Sequence, residues 1–102
     1  MPEARADNRV HEVAREVARM AKDMLGKDVD VYWFGSWPQG RAQDHSDIDL
    51  AISAPGPIVP ERMALLREAV EERPTLYQVD LVDIASAGPL LKKEILEYGV
   101  KL

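Results

Sequence analysis

The chain has no cysteine. That excludes a disulfide framework and any thiolate metal site. No run approaches the ~18 consecutive apolar residues of a membrane-spanning helix. Met1 to Glu12 is polar and charged and lacks an apolar signal core. A soluble cytoplasmic protein is the expectation, with no membrane partner. Cationic residues are also in short supply. There are 13 Lys and Arg against 18 Asp and Glu, a formal net charge of −5. Nucleic-acid binders draw much of their affinity from neutralising phosphates, so direct nucleic-acid binding is not expected. Apolar residues make up 46% of the 102 residues. That suits one small core and a single domain spanning 1–102.

The pattern of apolar residues sets out the elements. Val10, Val13, Ala14, Val17, Ala21, Met24 and Leu25 recur at helical spacing. They predict a helix over about 8–25, capped by Asp7 or Asn8 and ended by Gly26. Glu12, Glu16 and Arg19 are placed for ion pairing along one flank. Val29 to Phe34 is β-branched and aromatic and reads as a strand. A polar loop from Gly35 to Ser46 follows, with room for a short helical turn. Asp47 to Ser53 is a second strand. Pro60 opens a second helix to about Arg73, with Met63, Leu66 and Val70 inward. Leu76 to Ile84 reads as a third strand. Ser86 can cap a last helix over Pro89 to Tyr98, with Leu91, Ile95 and Tyr98 inward and Gly99 as its stop. Val100 to Leu102 is too short to assign. This order implies an α/β (α+β) fold, a small mixed sheet flanked by helices.

Two places carry chemistry. Gly35-Ser36 ends the first strand. Glycine lets the backbone turn sharply and approach a ligand, and amides exposed in such a turn hold phosphate oxygens. Asp47-Ile48-Asp49 opens the second strand. Residues two apart on a strand share a face, so the two carboxylates converge. Close carboxylates repel unless a cation lies between them, and magnesium takes oxygen ligands, water and substrate phosphates. Asp80 interrupts the apolar third strand, where an unpaired charge would be costly, and it is the third candidate ligand. Asp83 faces the other way and reads as a loop contact. Ser46 reads as a turn residue. Ser36 is better taken as a phosphate donor than as a nucleophile, since His45 lacks an orienting third group. Trp33, Trp37 and Met20, Met24 and Met63 read as packing residues.

Gly35-Ser36, ten residues, Asp47-Ile48-Asp49 and a later Asp80 together resemble the DNA polymerase β nucleotidyltransferase superfamily. The brevity of the chain points to its minimal nucleotidyltransferases, which are often paired with HEPN-domain partners in toxin–antitoxin systems. The resemblance runs from about Val29 to Leu102 and includes Glu94-Ile95-Leu96. It implies a polymerase β-like fold. It implies Asp47, Asp49 and Asp80 as catalytic, metal-binding carboxylates for two magnesium ions. It implies contacts to the nucleoside triphosphate from Gly35 and Ser36, with Gly40, Arg41 and Ser46 beside them. The reaction implied is transfer of AMP from ATP to a hydroxyl of a HEPN toxin, the chain acting as antitoxin. The family often carries arginines directly after Gly-Ser, where this chain has Trp37-Pro38-Gln39-Gly40-Arg41. Arg41 partly replaces them. That departure motivates an alternative, a weak or inactive module that neutralises its partner by contact.

Overall fold

In a computed structural model, residues 2–44 and 46–102 are described, with side chains from residue 8 onward. His45 lies outside the described residues. Among the described residues there are three α-helices, α1 (Pro2–Leu25), α2 (Pro60–Glu71) and α3 (Pro89–Tyr98). Four strands accompany them, β1 (Asp30–Phe34), β2 (Ile48–Ser53), β3 (Val79–Asp83) and β4 (Val100–Lys101). The sheet order is β3-β2-β1-β4. β1 pairs antiparallel with β2 and β4, and β2 pairs parallel with β3. The expected mixed sheet between helices is what forms. No described helix is long and apolar enough to cross a membrane.

Strand alternation divides the side chains between two cores. Val31, Trp33, Ile48, Leu50, Ile52 and Leu81 point to one face. There they meet Val10, Ala14 and Val17 of α1 and Met63, Leu66 and Val70 of α2. Phe34 and Ala51 point to the other face and meet Ile84 and Ile95. Each large apolar side chain buried this way is worth about 1.5–3 kcal/mol against leaving it in water. Because β2 is central, Ile48, Leu50, Ala51 and Ile52 are fully buried. Asp49 interrupts this otherwise apolar strand.

Several boundaries differ from the sequence reading, each for a local reason. α1 starts at Pro2, so Asp7 and Asn8 lie within the helix and do not cap it. Proline suits a first helical turn, where its missing N–H costs nothing. Glu16 does not pair along the helix. It reaches across to Arg73, which follows α2. β3 is shorter than read because Thr75 and Tyr77 spend their amides on a local turn, to the Arg73 carbonyl and the Thr75 hydroxyl. Leu76 is left exposed. Ser86 lies in a 3-10 turn, Ile84–Ser86, and α3 is preceded by Gly88 with no side-chain cap. Tyr98, expected inward, is exposed, while Ile95 is fully buried. Val100-Lys101 adds an edge strand opposite Tyr32 and Trp33.

Candidate active site

The site forms where β1 ends and β2 and β3 begin. β1 runs against the other two strands, so its last residue, Phe34, lies opposite Asp49 near the start of β2. Asp49 in turn lies opposite Asp80 near the start of β3. Cross-strand partners share a face, so both carboxylates project on the side covered further along by α3. Asp47 directly precedes β2 and is exposed. Asp80 is exposed too, which corrects the expectation that it carries a buried charge. β3 is an edge strand, so its open side hydrates the group.

Gly35 closes the turn over Asp49. Its φ is +85°, a left-handed conformation that favours glycine. A Cβ on Gly35 would collide with the Asp49 Oδ2 atom. The motif thus has a concrete structural meaning. The absence of a side chain at Gly35 is what lets the Asp49 carboxylate lie against the turn.

The loop beyond is tied down at both ends. The Arg41 amide donates to the Ser36 carbonyl at 2.9 Å and the Gly40 amide to Trp37 at 3.1 Å. Gly40 has φ +72° in open space, so it serves the turn. The Trp37 indole N–H donates to the Ser46 carbonyl at 3.0 Å, and its ring meets Tyr77 edge-on. The Ser46 hydroxyl accepts from the Gln43 amide at 2.8 Å, a turn role. Arg41 is exposed, and its Nη2 donates to the Gln39 side-chain carbonyl at 2.9 Å. Asp83 accepts from the Ala85 amide at 3.1 Å, the loop contact expected of it.

One neighbour escaped the sequence reading as a site residue. Glu94 on α3 lies close enough to perturb Asp49, and it accepts from Gln39 Nε2 at 3.5 Å. The signal for it was helical spacing. Leu91 and Ile95 face the sheet, and Glu94 flanks both. Burial first, then the negative charges of Asp80, Asp47 and Glu94, push the Asp49 carboxyl from 3.8 up to about 6. A half-buried acid ringed by three others is a charge set that a divalent cation would relieve. Among the described residues, no three acids or imidazoles already close round one point, so a three-carboxylate cage is not preformed. Magnesium is commonly held by one or two carboxylates, with water and phosphate completing its shell. The donor set therefore fits magnesium arriving with a polyphosphate.

An open cleft of about 800 Å³ runs past Asp49 and Asp80, with Phe34, Leu91 and Tyr77 in its walls. Ligand pockets are commonly of this size. Two cations at the cleft are already engaged. Arg67 donates to the Leu81 carbonyl at 3.1 Å, and Arg73 pairs with Glu16.

Residues 16–102 match the family described as polymerase beta, nucleotidyltransferase. The chain is 31% identical over 88 residues to the protein adenylyltransferase MntA of Shewanella oneidensis, covering 85% of this chain but 62% of that relative, less than two thirds of its length. With the MntA of Haemophilus influenzae it shares 34% over 85 residues, 83% of this chain and 73% of the other. A crystal structure of a toxin–antitoxin complex with AMP-PNP superposes at a TM-score of 0.68 and 27% identity, over 86% of this chain and 70% of that one. The matched segment contains the Gly35-Ser36 turn and all three candidate aspartates. With most of its length matched and this turn-and-carboxylate geometry in place, the chain belongs to the polymerase beta nucleotidyltransferase family.

Proposed function

We propose that the chain, working as one domain in the cytoplasm, transfers AMP from ATP to a hydroxyl of a HEPN-domain partner and thereby acts as its antitoxin. One observation carries this reading. Asp49 is packed against the Gly35 turn and has Asp80 in register beside it, so the carboxylates that line the cleft lie next to a glycine turn of the kind that takes phosphate. Kinship with MntA adenylyltransferases, and with a toxin–antitoxin complex holding an ATP analogue, supports the substrate and the kind of partner.

In the proposed reaction the acceptor oxygen attacks the α-phosphorus, the bond from that phosphorus to the bridging oxygen breaks, and pyrophosphate leaves. The hydroxyl proton passes to a carboxylate oxygen of Asp80, which is exposed on the cleft side. Backbone amides after Gly35 and the Ser36 hydroxyl hold phosphate oxygens, and Arg41 adds a cation at the end of the turn. Asp47, Asp49 and Asp80 would hold magnesium, two ions in the full arrangement, which neutralises phosphoryl charge and aligns the attacking and leaving oxygens.

The test is intact-mass analysis of the HEPN partner after incubation with this chain, magnesium and ATP. An adduct of AMP is expected with the wild type and is absent with Asp47→Asn/Asp49→Asn. Equal adduct from both overturns the reading. The loop favours one rival, neutralisation by contact, because Trp37 is committed to packing and Gln39 to Arg41 and Glu94. That rival predicts full neutralisation by the double variant with no adduct from either protein.

A further inference from the structure

A second concave surface lies on the opposite face of the sheet, in the groove between α1 and β4. It has a volume of about 380 Å³, with Trp33 and Val100 in its floor and Arg15, Arg19 and Lys22 along its α1 wall. The three cations fall four and then three residues apart, so they stack on one helix flank. Like charges so placed repel each other. Among the described residues, no carboxylate is within ion-pair distance of any of them. Glu16 is drawn away to Arg73, and Lys101 pairs with Asp30 at 3.4 Å. A chain of net charge −5 thus keeps a row of unneutralised positive charge beside an apolar floor. In that floor Trp33 also holds its indole N–H buried without a partner.

We infer that this groove docks an acidic, amphipathic segment of the partner protein, an inference that rests on the proposed reading for the existence of such a partner. Charge complementarity selects the sign of the occupant, and the exposed Val100, set over a Trp33 that is itself only 4% exposed, selects an apolar side chain beside the acidic ones. A nucleic acid would use the cations but not the floor, and it would meet the negative field of the remaining surface. A small anion would leave the floor unused. β4 is also the sheet edge, two residues long and exposed, so an extended segment has access from that side. Because Trp33 and Asp49 project from opposite faces, a partner gripped here leaves the carboxylate cleft open to its acceptor hydroxyl.

The experiment measures the affinity of the HEPN partner for this chain by calorimetry at low and high salt, with AMP transfer followed in parallel. The variants are Arg15→Glu/Arg19→Glu, the milder Arg15→Gln/Arg19→Gln, and Asp47→Asn/Asp49→Asn. Thermal melts establish that each is folded. At low salt the charge reversal weakens binding about tenfold or more, the neutral pair less, and salt weakens the wild type. The aspartate variant binds as the wild type does. If the complex depends on the arginines but no AMP is transferred, the docking surface stands and the proposed reaction falls. If folded arginine variants bind as the wild type does, or the wild type forms no complex, the docking surface falls whatever the transfer result. Binding of a short RNA through the same arginines, with partner affinity unchanged, also overturns it.

Discussion

At the scale of single residues, Asp49 is the group on which the carboxylate cluster centres. Its carboxyl is pushed up to about 6, chiefly by burial and then by Asp80, Asp47 and Glu94. The native state therefore binds this proton more tightly than the unfolded chain does. The cost of the charged form is absent below about pH 4, grows as pH rises, and is fully present above about 6. Discounted for the group's partial exposure, it is on the order of 1 kcal/mol. Asp49→Asn should then raise the melting temperature of the metal-free protein at pH 7.5 by about 4–8 °C, and the gain should shrink toward pH 4.5. Magnesium with ATP should stabilise the wild type and not the variant. A variant that melts no higher than the wild type at neutral pH would show that Asp49 carries no electrostatic cost.

At the scale of elements, the segment between β1 and β2 is held as a built loop by Trp37. Trp37→Phe keeps the ring packed near Tyr77 but removes the N–H that binds the Ser46 carbonyl. The expected loss of stability is about 1 kcal/mol. Mg-ATP binding should weaken several-fold if the turn must be preformed, and calorimetry with denaturant unfolding checks both. Unchanged nucleotide affinity would remove the loop from the site. This loop also shows how much could be read in the residues alone. Gly35-Ser36 and Asp47-Ile48-Asp49 were legible because glycine turns and strand alternation are local rules. Pro89–Tyr98 was legible because its ends are marked by proline and glycine. Asp80 stands out by interrupting an apolar run, yet its exposure follows from β3 being an edge strand, and strand order is not a local property. Helical spacing places Glu94 beside the sheet-facing Leu91 and Ile95, but that it meets Asp49 follows only from the packing of α3 over the sheet. Two-residue β4 has no periodicity to detect.

At the scale of the whole molecule, the sheet separates two surfaces. Asp49 and Asp80 lie on the α3 side, the cleft past them reaches round the β3 edge to α2, and the cationic groove lies between α1 and β4 on the other face. One layer of strands thus positions the proposed chemistry on one face and the proposed grip on the other. The central claim is that the carboxylates gathered beside Gly35 carry out nucleotidyl transfer. Its most direct measurement uses ATP labelled at the α-phosphate or, separately, at the γ-phosphate, with the proposed HEPN partner and magnesium. Label should enter the partner from the α position alone, vanish on chelation, and be lost in each of Asp47→Asn, Asp49→Asn and Asp80→Asn. Transfer of the γ label, or undiminished α-label transfer by the three variants, would contradict the account.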